Sequence, residues 1–206
     1  CGIRSDDSRR SPLHIWPGGD AVRLTLAPRS WKMVAPFVTA GETVNHIDVL
    51  HVMLEHEGHA GRSETMGVDY FGETVESMQT ELSALDPLAI AQLDRGTIQT
   101  LLPPGGSRNG LDCALWDIQA KQTAGGISAL TGISLKPLDT LVTISLDDPD
   151  AMARRAHEAP DLKRLKLKLN AKEPLDCLQA IHEARPDAQL VIDANGSWTS
   201  ELLMAA

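Results

Sequence analysis

Two lysines and one aspartate have the residue types and the spacing that could form a reaction centre. Lys166 and Lys168 alternate with leucines in the segment Lys163-Arg-Leu-Lys-Leu-Lys-Leu-Asn170, and this period of two predicts a β-strand with both lysines on one face. Asp193 ends a second apolar run that begins at Leu190. An ammonium group inside a fold is strongly destabilising unless an anion neutralises it. The pattern therefore favours a charged site, and the alternative is an edge strand with a solvated basic face.

The residue types suit a divalent metal ion together with a base. Asn195 follows Asp193 by two positions, the spacing that puts two strand residues on the same face. Mg²⁺ takes hard oxygen ligands such as carboxylates, and a lysine beside a cation can act as a general base. A Schiff-base aldolase also uses a barrel lysine, but it needs no metal, so the segment Asp193-Ala-Asn195 counts against that class of enzyme.

The elements that would position these residues alternate between strand and helix. Strands are predicted at Leu141–Leu146, 163–170 and Leu190–Asp193, and helices at Pro149–Glu158, Pro174–Ala184 and from near Thr199. Short links between alternating strands and helices indicate βα units and a parallel sheet. In such folds the chemistry lies at the carboxyl ends of the strands, which is where the lysines and Asp193 fall.

The preceding part of the chain has a different pattern. It predicts an antiparallel meander with strands at 21–27, 31–37, 47–55 and 59–64, then helices at 72–85, 87–95 and 107–122, the last capped by Ser107. The whole chain is therefore predicted as an α/β protein, with a boundary near residue 138 between this cap and a barrel or doubly wound domain. Residues 1–20 have no clear periodicity and are interpreted as an unstructured or non-native tail.

Composition narrows the class of protein. A formal charge of -9 over 206 residues argues against nucleic acid and anionic membranes as partners. A hydrophobic content of 42% is ordinary for a globular protein. The three cysteines are widely spaced and contain no CxxC pair, which is typical of reduced thiols. We therefore expect a cytoplasmic protein whose partner is a small molecule.

Three segments together carry a family resemblance. They are Arg108-Asn-Gly-Leu-Asp-Cys-Ala-Leu-Trp-Asp117, Lys166-x-Lys168 and Val191-Ile-Asp-Ala-Asn-Gly-Ser-Trp198. In this order and spacing they resemble the muconate-lactonizing branch of the enolase superfamily, most of all the dipeptide epimerases of the L-Ala-D/L-Glu type. The resemblance implies an α+β capping domain, here over residues 21–137. It further implies that residues 138–206 form the first three βα units of a modified (β/α) barrel of the TIM type, which is left incomplete.

The resemblance also implies a role for each candidate residue. Lys168 would exchange the substrate α-proton, and Lys166 would bind the substrate and neutralise the enolate. Asp193 would be a Mg²⁺ ligand supported by Asn195. Thr143, at the end of the first barrel strand, would line the substrate pocket.

The same resemblance implies a role for two loops of the capping domain. The loops Phe37–Val44 and Met66–Tyr70 would cover the substrate. Relatives that prefer a glutamate side chain can carry an arginine in the first of these loops, but Gly41-Glu42-Thr43-Val44 has none, so this preference stays open. Apart from the resemblance, Asp112 and Asp117 on the long helix are interpreted as structural residues that bond across the junction of the two domains, in preference to catalytic residues.

The predicted function is a Mg²⁺-dependent dipeptide epimerase that removes the proton α to a carboxylate. The alternatives on the same scaffold are a muconate-type cycloisomerase, an o-succinylbenzoate synthase and an inactive fragment. A complete barrel takes on the order of 250 residues, so we expect a truncated chain, with further metal ligands and the opposite-face base beyond Ala206. Such a chain is expected to be inactive and marginally folded by itself, and the full-length enzyme is compatible with a homo-oligomer.

Overall fold

A computed structural model describes residues 21–206, which form two compact units. The first unit contains residues 21–31 and 48–135, and the second contains residues 32–47 and 136–206. The tail predicted at residues 1–20 lies outside the described residues. Between residues 21 and 206, no helix combines the length and the apolar character needed to cross a bilayer.

The strands of the first half form one sheet. Its order is β1-β2-β3, with β1 at Arg23–Val38, β2 at Thr43–His56 and β3 at His59–Thr65. The antiparallel pair β2–β3 turns at Glu57 and Gly58, whose φ values are 47° and 76°, as expected for a two-residue hairpin turn that matches strand twist. The two predicted pieces at 21–27 and 31–37 are one strand, since Pro28 is tolerated on an edge strand.

Helix α4 packs directly on β3 in the first unit. The helices are α1 (Val75–Ser83), α2 (Pro87–Ala91), α3 (Ile98–Leu101), α4 (Gly106–Gln122) and α5 (Gly126–Thr131). Glycines permit the close approach: a Cβ on Gly61 would collide with the carbonyl oxygen of Ala114, and a Cβ on Gly110 would lie 2.7 Å from Thr65 Cγ2. The buried core between sheet and helices includes Leu50, Leu54, Leu111, Leu115 and Ile118.

The amino end of α4 is held by Glu73. Its Oε1 accepts the Gly106 N–H at 2.8 Å, and its Oε2 accepts the Val68 N–H at 2.9 Å. A carboxylate at this end of a helix satisfies free N–H groups and complements the helix dipole. The prediction that Ser107 caps the helix is wrong, because Ser107 lies buried inside the first turn.

The second unit contains the three predicted βα units. They are β4 (Val142–Ile144) with α6 (Pro149–His157), β5 (Arg164–Lys168) with α7 (Pro174–Ala184), and β6 (Gln189–Asp193) with α8 (Ser200–Ala205). The sheet is parallel with the order β4-β5-β6. The lysine strand β5 is therefore central, which excludes the edge-strand alternative, and Leu165 and Leu167 are fully buried.

A buried arginine joins the ends of α6 and α7. The Arg185 guanidinium donates hydrogen bonds to the carbonyls of Ala156, Ala159 and Leu162 at 3.2, 2.5 and 2.7 Å, and it pairs with Asp187 at 2.8 Å. Carbonyl groups at and just after the end of α6 have no helical N–H four residues further on, and the Arg185 side chain donates to three of them. This arrangement holds the two helices that pack against β5.

Candidate active site

Lys166, Lys168 and Asp193 meet at the carboxyl edge of the second unit's sheet. Lys168 stands level with Asp193 in the parallel register of β5 and β6. The Nζ atoms of Lys166 and Lys168 each lie 2.8 Å from Oδ2 of Asp193. The three residues singled out by strand periodicity are therefore in direct contact.

The two lysines differ in their surroundings. The side chain of Lys168 is 9% exposed and that of Lys166 is 34% exposed. Lys168 also donates a hydrogen bond to Oδ1 of Asn195 at 3.0 Å. Hydrogen bonds from Lys166, from Lys168 and from the Asn195 backbone hold the pKa of Asp193 far below its ordinary range. The carboxylate is therefore ionised at neutral pH, and it is the counter-charge of both ammonium groups.

Asn195 reaches the site through a turn. Strand β6 ends at Asp193, and Asn195 and Gly196 both have positive φ values, 47° and 74°. Asparagine enters the left-handed region more readily than most residues, and glycine has no Cβ to oppose it. The Asn195 N–H then donates to Oδ1 of Asp193 at 3.1 Å. The strand-parity argument for Asn195 is wrong, although the residue does contact Asp193 and Lys168.

Thr143 lies beside Lys166. The two residues pair in the register of β4 and β5, and neighbours in a sheet point to the same face. Thr143 is half-buried, and its partner Lys166 comes two residues before Lys168, the residue that is level with Asp193. Its role in the substrate pocket stays a prediction.

Trp198, the last residue of the third motif, has a structural role. Trp198 Nε1 donates to the carbonyl oxygen of Asn170 at 2.8 Å, and its ring packs against the apolar core of the second unit. The bond ties the loop after β5 to the loop after β6. These are the loops that follow Lys168 and Asp193, so Trp198 steadies the site without entering it.

The loop predicted at Phe37–Val44 reaches this edge of the sheet. The Phe37 ring centroid lies 5.7 Å from Nζ of Lys168, a contact that the sequence did not reveal. The second predicted cover loop, Met66–Tyr70, belongs to the first unit, and its role stays a prediction.

Asp117 does not bond across a domain junction. Its Oδ2 accepts hydrogen bonds from the Arg62 N–H at 2.7 Å and from Lys121 Nζ at 2.6 Å, and all three residues lie in the first unit. That part of the prediction is wrong. Oδ1 of Asp112 is buried without a hydrogen-bond partner among residues 21–206, and burial raises the pKa of this carboxyl.

The donor set agrees with a hard cation. Asp193 offers an ionised carboxylate that is 27% exposed, beside the amide oxygen of Asn195, and Mg²⁺ favours such oxygens. Among residues 21–206 no group of three or more His, Cys, Asp and Glu side chains could hold a metal ion. Asp193 and Asn195 therefore fit part of the ligand set of a Mg²⁺ site.

Comparison with known proteins places this geometry in a family. The sequence model of the mandelate racemase / muconate lactonizing enzyme family, N-terminal domain, matches residues 21–132. The chain is a member of the enolase superfamily. The α/β fold class is confirmed, since an enolase-type cap and the start of a parallel barrel sheet follow each other in the chain.

The superfamily relatives include epimerases and racemases. The chain is 36% identical over 179 residues to an L-Ala-D/L-Glu epimerase of Escherichia coli, covering 85% of this chain and 56% of the relative. It is 29% identical over 151 residues to an N-acetyl-D-glutamate racemase of a Pseudoalteromonas species, covering 71% and 47%. The chain thus spans about half the length of these curated relatives.

A solved superfamily structure shares the fold. It is an enolase family member from Agrobacterium tumefaciens with homology to dipeptide epimerases, bound to sodium and L-Ala-L-Glu. Its TM-score to this chain is 0.81 at 30% sequence identity, and the match covers 89% of this chain and 57% of that one.

Proposed function

We propose that the protein carrying this chain is a Mg²⁺-dependent epimerase of dipeptides. The observation that carries the proposal is the contact of Lys168 and Lys166 with Asp193 at the carboxyl edge of a parallel sheet. A structural ion pair needs one lysine, whereas removal of a proton α to a carboxylate needs a base and a separate positive charge. The epimerase and racemase relatives support the same reaction class.

Each lysine has a distinct part in the proposed reaction. The amine of Lys168 takes the α-proton of one epimer, so the bond from carbon to hydrogen breaks as the N–H bond forms, and in the reverse reaction its ammonium group protonates the same face. Lys166, the more exposed lysine, keeps its ammonium next to the developing enolate oxygen. A Mg²⁺ ion held by Asp193 would supply positive charge to the substrate carboxylate. Inversion also needs a proton donor on the opposite face, which we propose lies outside residues 21–206.

The substrate class rests on the relatives. An L-Ala-D/L-Glu epimerase and a structure bound to L-Ala-L-Glu are both at least 30% identical to this chain. The loop residues Gly41–Val44 contain no arginine for a glutamate side chain. We therefore propose dipeptides as the class, with the second side chain to be found by assaying a dipeptide panel that includes L-Ala-L-Glu.

Replacement of Asp193 tests the metal assignment. In the protein at full length, Asp193→Asn should abolish epimerisation of the best dipeptide and weaken Mg²⁺ binding measured by isothermal titration calorimetry. Asparagine keeps the size of the side chain, so the circular dichroism spectrum should stay unchanged. Asp161→Asn is the matched control, because Asp161 is an exposed residue in the loop between α6 and β5. Retention of both turnover and Mg²⁺ affinity in Asp193→Asn would remove the metal from this site.

A further inference from the structure

The ring of Phe37 covers the ammonium group of Lys168. Its centroid lies 5.7 Å from Nζ, within the distance of about 6 Å at which a cation is attracted to the face of an aromatic ring. The side chain of Lys168 is only 9% exposed, although this residue is the last of its strand. An aromatic ring at this position attracts the cation without offering it an oxygen acceptor.

The backbone holds the ring in this place. The carbonyl oxygen of Val38, the next residue, accepts the Leu146 N–H at 3.1 Å, so the end of β1 is hydrogen-bonded to the segment after β4. The hairpin turn that follows is closed by its own bonds. Thr39 N–H donates to the Glu42 carbonyl at 3.0 Å, and Thr39 Oγ1 accepts the N–H groups of Gly41 and Glu42 at 3.2 Å each.

The polar contacts of Lys168 involve two of its three N–H groups. Its Nζ donates to Asp193 Oδ2 at 2.8 Å and to Asn195 Oδ1 at 3.0 Å. An ammonium group has three donors, so a single N–H has no acceptor among residues 21–206. The two acceptors and the ring together restrict the rotation of the group about its stem.

We infer that Phe37 is a positioning residue that holds the Lys168 amine in the orientation for proton transfer. This inference rests on the proposed function, because it assigns Phe37 a part in the same reaction. The face of the ring attracts the ammonium form of Lys168, and the bulk of the ring limits the movement of the side chain in both its ammonium and its amine form. A residue of this kind affects the rate of the chemical step more than the affinity for substrate.

Substitutions at Phe37 separate the ring face from the volume of the side chain. In the full-length protein, Phe37→Leu should lower kcat about 2- to 30-fold, the range for an attraction of this kind, with KM nearly unchanged. Phe37→Tyr keeps the ring and should restore kcat. Trifluorophenylalanine at this position keeps the shape but withdraws charge from the ring face, so it should match Phe37→Leu. Trp31→Leu, an aromatic change on the same strand, is the control that should leave kcat unchanged.

A spectroscopic measurement tests the contact without relying on turnover. In protein labelled with ¹³C-lysine, the Cε protons of Lys168 should be shifted upfield by the Phe37 ring, and Phe37→Leu should remove that shift. The Lys168→Arg variant identifies the signal.

The NMR shift and the kcat measurement together distinguish the possible outcomes. Absence of the ring shift in the wild-type protein would overturn the inference, and so would an unchanged kcat in Phe37→Leu. A ring shift in a wild-type protein that epimerises no dipeptide would refute the proposed function while supporting the placement of the amine by Phe37.

Discussion

Replacement of Lys168 by alanine tests whether this lysine is a base or only a positive charge. The change removes the ammonium that lies 2.8 Å from Asp193 Oδ2 and 3.0 Å from Asn195 Oδ1. A base on one face of the substrate takes the α-proton of only one epimer. In the full-length protein we therefore expect exchange of that proton to fall by about 10²- to 10⁴-fold, the usual contribution of a general base. The α-proton of the other epimer should continue to exchange.

Lys166→Ala should give a different result. Lys166 also lies 2.8 Å from Asp193 Oδ2, but its side chain is 34% exposed. If it stabilises the negative charge of the enolate, its loss affects both epimers, because both pass through that state. A charge-assisted hydrogen bond contributes about 1.5–3 kcal/mol, which solvent reduces at a partly exposed group. We expect a loss of about 10- to 100-fold for each epimer.

Proton NMR in deuterated water measures both quantities. Each pure epimer is incubated with enzyme, and the loss of its α-proton signal is followed over time. Lys163→Ala is the matched control, since Lys163 is an exposed lysine directly before the same strand. Circular dichroism melting checks that each variant is folded. Wild-type exchange of both epimers by Lys168→Ala would refute its role as a base, and an equal loss for both epimers would show that it acts as a charge.

Two further predictions concern stability, one in each compact unit. Gly61→Ala should lower the free energy of unfolding, measured by urea denaturation, by about 1–3 kcal/mol, because its Cβ would collide with a backbone oxygen of α4. The control Gly41→Ala, with no atom near its Cβ, should change that free energy by less than about 0.5 kcal/mol. Equal changes in the two variants would refute the close packing of β3 and α4. The second concerns Asp147, whose pKa is lowered by the backbone N–H of Asp148 and by Arg155, 2.7 Å away. Its folded pKa lies below the unfolded value of about 3.9, so its stabilisation is present above that pH and is lost as the solution is acidified. Wild type should therefore exceed Asp147→Asn by less than about 1 kcal/mol at neutral pH and converge with it in acid, and a difference that persists at low pH would contradict the linkage.

Local patterns in the sequence were sufficient for much of the second unit. Alternation of leucine and lysine put Lys166 and Lys168 on one face, because a strand turns successive side chains to opposite sides whatever surrounds it. Strand and helix alternation predicted a parallel sheet, and a parallel sheet brings the carboxyl ends of its strands to one edge. The contact of both lysines with Asp193 follows from these two facts. The helix α7 at Pro174–Ala184 was predicted with both ends correct, since proline in the first turn and an apolar stripe are local signals.

Other features depend on residues that are distant in the chain, and only the tertiary structure decided them. Glu73 holds the start of α4, where the local pattern suggested Ser107, because the carboxylate that accepts the Gly106 N–H comes from a residue 33 positions away in the chain. Asn195 contacts Asp193 through a left-handed turn and not through strand parity, since β6 ends before it. Phe37 lies over Lys168 because the end of β1 belongs to the second unit. Local periodicity determines which face a side chain takes, whereas the partner it meets there is determined by how distant segments pack together.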